Sequence, residues 1–299
     1  MNRLPLKTRI TILQMLVEGS SMRSIGRVAD VSPNTVDKLL REAGAACLAI
    51  HDQEVRNVRA VRVQCDEIWS FCYAKQKNVP IAKKPPAAAG DVWTWTAIEA
   101  NTKLIISWLV GDRSVVSASL LMEDLKSRLA NRVQLTTDGH GPYLEAVEDA
   151  FGADIDYAQL VKIYGEPSQP TGQARYSPAQ IVAAVRKRIE GSPDPAHIST
   201  SMVERHNLTI RMAIRRFTRL TNAFSKRIEN HIHAIAIKTV HYNFIRIHKT
   251  LKISPAMAAG ISATLWSWED VIQRMDAMAP QPALRGSYRP RQPAPQRTP

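Results

Sequence analysis

Residues 61–73 read VRVQCDEIWSFCY, and this stretch decides the expected fold. It is rich in β-branched and aromatic residues, which predicts a strand, and it contains the acidic pair Asp66-Glu67. Residues 92–100 and 103–110 predict two further strands, joined by a tight turn at Asn101-Thr102. These three successive strands are expected to form an antiparallel meander.

Strands and helices alternate after the meander. Helices are predicted over 114–129 and 143–151, and strands over 133–137 and 157–164. This order predicts an α/β fold, a mixed sheet flanked by helices, with the first strand central and beside the fourth. Farther along the chain we expect a short helix at 179–189 and two long helices at about 200–222 and 226–247.

The first 45 residues predict a separate all-α domain of three short helices. Ser32 is a good N-cap, Pro33 suits the first helical position, and Gly44 is expected to end the third helix. Residues 25–36, IGRVADVSPNTV, resemble a helix-turn-helix signature, with Asp30 at the turn position that needs a positive φ. Such a motif would place the start of its third helix in the major groove of DNA. The expected DNA-contacting residues are Asn34, Thr35, Lys38 and Arg41. An ordinary three-helix bundle without a DNA role is the alternative.

Composition narrows the class of protein. The chain has 299 residues, of which 44% are hydrophobic, enough for a packed core and too many for a disordered chain. No apolar stretch is long enough to span a membrane, and residues 1–7 lack the apolar region of a signal peptide. Three cysteines without C-x-x-C spacing argue against a disulfide framework and against a zinc site. We therefore expect a cytoplasmic protein without a membrane partner.

The net charge of +13 is unevenly distributed. Residues 175–252 contain 15 Lys and Arg against four Asp and Glu, whereas residues 45–174 contain 13 against 16. A basic segment of this kind favours a polyanionic partner, and nucleic acid is the expected one. Solvated helix faces are the alternative explanation.

Three acids are candidates for catalysis: Asp66 within the first strand, Asp138 at the end of the fourth, and Glu204 near the start of a long helix. Each has a structural alternative: a surface acid pair, an Asp-Gly turn, and a capping box with Ser201. Together they favour a metal site, because adjacent strands can bring the two aspartates side by side and the helix can bring the glutamate. Carboxylates without a His or Cys cage suit Mg²⁺, and two such ions assist phosphodiester chemistry.

Several stretches of the chain, in order, resemble transposases of the insertion sequence one family, which are DDE transposases. The stretches are DEIWSF (66–71), WTWTAI (93–98), VGDRS (110–114), TDG (137–139), and VERHN (203–207) followed by Arg211 and FSK (224–226). The resemblance implies a ribonuclease H-like fold in which Asp66, Asp138 and Glu204 bind Mg²⁺ or Mn²⁺. It also implies cleavage of element ends and joining of 3′-OH ends to target DNA, by at least a dimer acting on double-stranded DNA with terminal inverted repeats. In a bacterium such a protein would be associated with the nucleoid.

The helix with Glu204 also has a basic face. Glu204, Arg211 and Arg215 follow i, i+7 and i+11 spacing, which would put them near one face of a continuous helix. Arg side chains can hold phosphates bidentately, although an amphipathic surface helix with solvated Arg is the alternative. The candidate DNA-contacting residues here are Arg205, His206, Asn207, Arg211 and Arg215.

The expected organisation has five parts: a helix-turn-helix domain (1–45), a linker (46–60), a catalytic domain (61–255), a helical extension (256–278) and a disordered basic tail (279–299). Two other functions remain open at this point. One is a transposase-derived DNA-binding regulator without catalytic activity. The other is a ribonuclease H-like nuclease that cuts DNA without joining it.

Overall fold

A computed structural model describes residues 3–165, 181–218 and 222–279. The strands are β1 (Arg62–Cys72), β2 (Gly90–Glu99), β3 (Ile105–Gly111), β4 (Gln134–Asp138), β5 (Asp156–Tyr164) and β6 (Ile181–Glu190). The first helices are α1 (Leu6–Val17), α2 (Met22–Val28), α3 (Pro33–Glu54), α4 (Val115–Arg128) and α5 (Pro142–Phe151). The later helices are α6 (Ser201–Ala213), α7 (Ile228–Val240), α8 (Pro255–Ala258) and α9 (Trp268–Met278).

The sheet has six strands in the order β3-β2-β1-β4-β5-β6. β1 is antiparallel to β2 and parallel to β4, and β4 is parallel to β5. The predicted mixed sheet with helices packed on it, and with β1 beside β4, is therefore confirmed. The β1–β4 pairing stops at Cys65 opposite Thr137, so the next residue of each strand lies at the edge of the paired region.

The N-terminal helices follow the predicted start signals but not the predicted end. The Ser32 hydroxyl accepts a hydrogen bond from the Thr35 backbone N–H, as expected of an N-cap, and Asp30 has a φ of 51°. The expected end of α3 at Gly44 is wrong, because the helix continues to Glu54. A Cβ at Gly44 would lie 2.3 Å from Cβ of His233, so this glycine permits the close approach of α3 and α7.

Two predictions in the second half of the chain need correction. The helix expected over 179–189 is the strand β6, antiparallel to β5, and residues 179–180 lie outside the described ranges. Its sequence IVAAVR begins with two β-branched residues and has a third, and the open edge of β5 gives it hydrogen-bond partners. The helix expected at about 200–222 is shorter, since α6 ends at Ala213. The helix expected at about 226–247 is close to the observed one, because α7 continues directly into a π-helical segment, His241–Ile245. Of the expected tail, residues 280–299 lie outside the described ranges.

The structure also bears on the cysteines and on possible membrane-spanning helices. Cys47, Cys65 and Cys72 are buried and free of disulfide bonds. Within the described ranges, the structure contains no helix with the length and apolar character to cross a membrane.

Candidate active site and basic cleft

The parallel pair β1–β4 brings the first two acids together. Cys65 lies opposite Thr137, so Asp66 and Asp138 are the next residues at the carboxyl ends of neighbouring strands. The carboxyl ends of parallel strands are the edge at which α/β sheets commonly build their sites. The predicted proximity of these two aspartates is therefore a direct consequence of strand order and register.

Two side chains, Gln64 of β1 and Asn207 of α6, fix the first turns of α6 over this edge. Gln64 lies two residues before Asp66, on the same face of β1, and its Oε1 accepts hydrogen bonds from the backbone N–H groups of Met202 (2.8 Å) and Val203 (3.2 Å). One turn later, Nδ2 of Asn207 donates to Oδ2 of Asp66 at 2.8 Å. Glu204 lies between these two anchors, and α6 thereby brings the third acid to the sheet edge.

All three acids line one open cavity, the acid cavity, of about 540 Å³. Other lining residues are Arg113, Gly139, His140, Gly141, Leu160, Val161, Lys162 and Tyr164. The cavity offers carboxylate oxygens as ligands, and two basic side chains, Arg113 and Lys162, lie in its wall. Such a lining suits a site that binds both cations and phosphates.

The electrostatics of the cavity favour a bound cation. Burial, together with the charges of Glu67 and Asp138, raises the pKa of Asp66 to about 7. One carboxylate oxygen from each of Asp66, Glu67 and Asp138 lies within 4.8 Å of the other two. In addition, Oδ1 of Asn207 is buried without a hydrogen-bond partner. These observations fit a hard divalent cation with oxygen ligands.

Glu67 is near the two aspartates but has counter-groups of its own. Its side chain is only 1% exposed, and its Oε1 accepts from Nε (2.8 Å) and Nη2 (2.7 Å) of Arg113. The Tyr143 hydroxyl donates to its Oε2 at 3.2 Å. Burial and the charge of Asp138 raise the pKa of Glu67, and the bond from Arg113 opposes this increase. The surface-pair explanation of Asp66-Glu67 is thus wrong for Glu67, whose carboxylate is already neutralised by an arginine.

Glu204 is engaged by two neighbours at the cavity wall. Its Oε1 accepts from Nζ of Lys162 and from the hydroxyl of Thr200. The capping-box explanation does not hold, because the N-cap of α6 is Thr200, whose own side chain makes no capping hydrogen bond. The turn explanation of Asp138 holds in part, since its Oδ1 accepts from the His140 backbone N–H at 3.0 Å.

The remaining predicted residues of α6 lie in different surroundings. Arg205 is exposed, and Arg211 is half-buried. His206 is buried against Tyr242, with ring centroids 4.8 Å apart, and burial lowers its pKa to about 3. Asn207 contacts Asp66, as described above. The spacing argument for Arg215 is wrong, because α6 ends at Ala213 and Arg215 begins a short 3₁₀ turn.

Arg215 lines a second concavity, the basic cleft, of about 740 Å³ between the N-terminal helices and the start of α7. Its basic lining residues are Arg23, Arg215, Arg216, Lys226 and Arg227, and its acidic lining residue is Asp37. Asp37 already accepts a hydrogen bond from Asn230 (2.6 Å) and pairs with Arg41 (3.3 Å). The positive charge of the cleft therefore has little acidic compensation among its described lining residues.

The candidate groove-reading residues lie at the start of α3. Asn34, Lys38 and Arg41 are exposed. Thr35 is half-buried, and its hydroxyl lies 2.9 Å from that of Ser32, within the N-cap. Lys38 pairs with Glu42, and Arg41 pairs with Asp37, in both cases at i,i+4 spacing on α3.

Several residues of the site were missed by the sequence argument. Gln64 could have been found by alternation, since it shares the β1 face of Asp66. Lys162 could have been found similarly on the fifth strand. By contrast, the contact of Arg113 with Glu67 joins residues 46 apart along the chain, and neither periodicity nor spacing predicts it.

Comparison with known proteins gives distant structural likenesses only. No family model and no curated protein matches the sequence. A piggyBac transposase synaptic complex with hairpin DNA aligns over 93% of this chain and 74% of that chain, at 11% identity and a TM-score of 0.39. The Mos1 strand transfer complex aligns over 52% of this chain and 59% of that chain, at 14% identity and a TM-score of 0.23. A Mos1 mariner paired end complex with Mn aligns over 50% of this chain and 58% of that chain, at 13% identity and a TM-score of 0.20. Because each of these TM-scores is below 0.5, the likenesses carry no functional argument, and the geometry of the site is the basis for assigning a function.

Proposed function

We propose that the chain is a DNA transposase of the DDE type with a ribonuclease H-like catalytic domain, which cleaves element ends and joins their 3′-OH groups to target DNA. The observation that supports this most strongly is the convergence of Asp66, Asp138 and Glu204 on one cavity at the carboxyl ends of β1 and β4. The three acids lie far apart along the chain, and strand register and the docking of α6 bring them together.

Asp66, Asp138 and Glu204 would hold Mg²⁺ or Mn²⁺. Bound there, two such cations supply Lewis-acid stabilisation of the phosphodiester oxygens. Asn207 holds the carboxylate of Asp66 through its amide, and Gln64 holds the start of α6 through backbone N–H groups. Glu67 is assigned a different role, because its bond to Arg113 already balances its charge.

Arg113 is the side chain best placed to bind a phosphate within the cavity. Glu67 fixes one edge of its guanidinium, and its Cζ lies 4.7 Å from the ring centroid of Trp93. The side chain of Arg113 is nevertheless 43% exposed and lines the cavity with the three acids. A preoriented arginine of this kind can donate to a phosphate oxygen with little loss of side-chain freedom.

The basic cleft and the start of α3 would bind the rest of the DNA. In this proposal α2 and α3 form a helix-turn-helix that reads terminal inverted repeats with Asn34, Thr35, Lys38 and Arg41, while the cleft binds backbone phosphates. Arg205 and Arg211 would contribute further phosphate contacts. Two element ends must be held together, so at least a dimer is expected on DNA, in the cytoplasm and, in a bacterium, at the nucleoid.

A strand-joining assay tests the proposal. The substrate is duplex DNA carrying the inverted repeats that flank the coding sequence, with Mg²⁺ and a supercoiled target. We expect the wild type to cut and join, and Glu204→Gln to bind the same DNA without doing either. Binding without cleavage by the wild type would instead indicate a transposase-derived regulator, and cleavage without joining would indicate a nuclease.

A further inference from the structure

Lys162 occupies a position that the proposed function does not explain. Leu160 is the register partner of Asp138, and Lys162 lies two residues farther along β5, so both project from the same face as that aspartate. The side chain of Lys162 is 20% exposed, lines the acid cavity and pairs with the carboxylate of Glu204. A flexible ammonium group therefore lies inside the proposed cation site.

The charge balance of the three acids is consequently unequal. Glu204 has an ammonium counter-ion, whereas the described hydrogen-bond partners of Asp66 are an amide and a backbone N–H group. Asp66 and Asp138, with Glu67, form the tight cluster of ligand atoms, and Glu204 is not part of it. Glu204 is held apart from that cluster by the bond to Lys162 and by the bond from Thr200.

We propose that Lys162 is a positioning residue that substitutes for a divalent cation at Glu204 before metal and DNA bind. This inference rests on the proposed function, because it takes Glu204 as a metal-binding residue. Binding of a cation by all three acids then requires Glu204 to exchange its ammonium partner for the metal. The ion pair with Lys162 thus competes with the metal and also prevents the carboxylates from repelling one another in the apo protein.

The exchange also gives Lys162 a second position. Once Glu204 binds the metal, the ammonium group of Lys162 loses its ion-pair partner. A DNA phosphate that enters the cavity then becomes the anion available to it. A lysine on a four-carbon stem can move between two such partners without a change of the backbone. Lys162 therefore contributes a phosphate contact only when metal is present.

Metal affinity in the absence of DNA tests the first half of the proposal. Isothermal titration calorimetry with Mn²⁺ would compare the wild type with Lys162→Met, which keeps an unbranched, flexible side chain one atom shorter and removes its charge. We expect about tenfold tighter binding by the variant, which corresponds to about 1.4 kcal/mol. Lys187→Met on β6, outside the cavity lining, is the matched control, and Lys162→Arg should restore affinity toward the wild type.

The salt dependence of DNA binding tests the second half. With Ca²⁺ present, the slope of log affinity against log salt should be smaller in Lys162→Met than in the wild type by about 0.9, the value for one phosphate contact. Without divalent ions the two slopes should coincide. Circular dichroism establishes that the variants are folded, and Lys162→Gln repeats the comparison with a neutral side chain that is polar.

The possible outcomes separate the two proposals. Unchanged or weaker Mn²⁺ binding by Lys162→Met, or an equal gain in Lys187→Met, would overturn the role of Lys162 while leaving the metal site intact. If Asp66→Asn bound Mn²⁺ as tightly as the wild type, the proposed function itself would fail.

Discussion

The acid cavity and the basic cleft have opposite charge and different construction. The cavity lies at a sheet edge, where strand register and the anchoring of α6 hold three carboxylates. The cleft lies between packed helices, and five basic side chains line it against one acid that is already paired. The comparison teaches that the net charge of +13 is unevenly distributed, and the proposed function assigns the metal site to one region and most of the DNA backbone binding to the other. Variants in the two regions should therefore have opposite phenotypes.

The largest effect is expected from the cavity. Asp66→Asn or Asp138→Asn should lower the rate of strand joining by about 10³-fold or more, because a neutral amide is a much weaker ligand for a divalent cation. DNA affinity without metal should stay within about twofold of the wild type. Joining assays and fluorescence anisotropy measure the two quantities. The control is Asp154→Asn, at an exposed acid between α5 and β5, and this variant should join DNA at the wild-type rate.

Variants of the cleft should show the reverse pattern. Arg23→Ala combined with Arg227→Ala should weaken DNA binding by about 100-fold at moderate salt and reduce the salt slope by about 2, one for each lost phosphate contact. Their Mn²⁺ affinity should not change. Lys7→Ala combined with Arg59→Ala removes the same charge from exposed positions outside the cleft. An equal loss of affinity in this control would mean that net charge, not the cleft, binds DNA.

The third prediction concerns the packing that sets the walls of the cleft. Gly44→Ala should lower the free energy of unfolding by about 2 kcal/mol, because the added methyl group would overlap His233 and force α3 and α7 apart. Urea denaturation measures the change. Gly141→Ala is the control, since its Cβ would meet no atom within 4 Å and its φ is −54°. A stable Gly44→Ala protein would show that α3 and α7 do not approach as closely as described.

The smallest effect is expected at a contact that belongs to neither region. Hydrogen bonds from Arg9, at 2.8 and 3.0 Å, join α1 to Asp276 of α9 and hold the pKa of that carboxyl below its usual range. Because the folded-state pKa is lowered, this stabilisation is complete above about pH 4, the unfolded value, and is lost as the pH falls through the folded value. Asp276→Asn should cost about 0.5–1 kcal/mol at pH 7.

Unfolding measured between pH 7 and pH 3 checks this pH dependence. The difference between wild type and Asp276→Asn should shrink as the pH falls below about 4. A difference that stayed constant over this range would contradict the assignment. Metal affinity and DNA affinity at pH 7 should be the same in both proteins.

The sequence predicted the parts of the fold that depend on local pattern. β-branched runs identified β1 to β5, and the expected mixed sheet followed from their order with the helices between them. Gly44 was misjudged because a glycine that ends a helix and a glycine that allows two helices to touch have the same local signature. β6 was misjudged because its pairing with β5 is a long-range contact that overrides weak local preference.

In the candidate site too, some residues were predictable from the sequence, and others depend on tertiary packing. Asp66 and Asp138 could be placed together because register between adjacent strands follows from strand order. The partner of Glu67 could not be predicted, since Arg113 comes from the end of a different strand and approaches through tertiary packing. The pairing of Lys162 with Glu204 likewise depends on how α6 docks on the sheet, which hydrogen bonds from Met202 and Val203 to Gln64 determine.

The most direct test of the central claim is an anomalous-scattering experiment on crystals soaked in Mn²⁺. The account predicts a manganese peak in the acid cavity within coordination distance of Asp66 and Asp138, with Glu204 turned from Lys162 toward the metal. A peak bound to Glu67 with Arg113 displaced, or no peak in the cavity at saturating Mn²⁺, would contradict it.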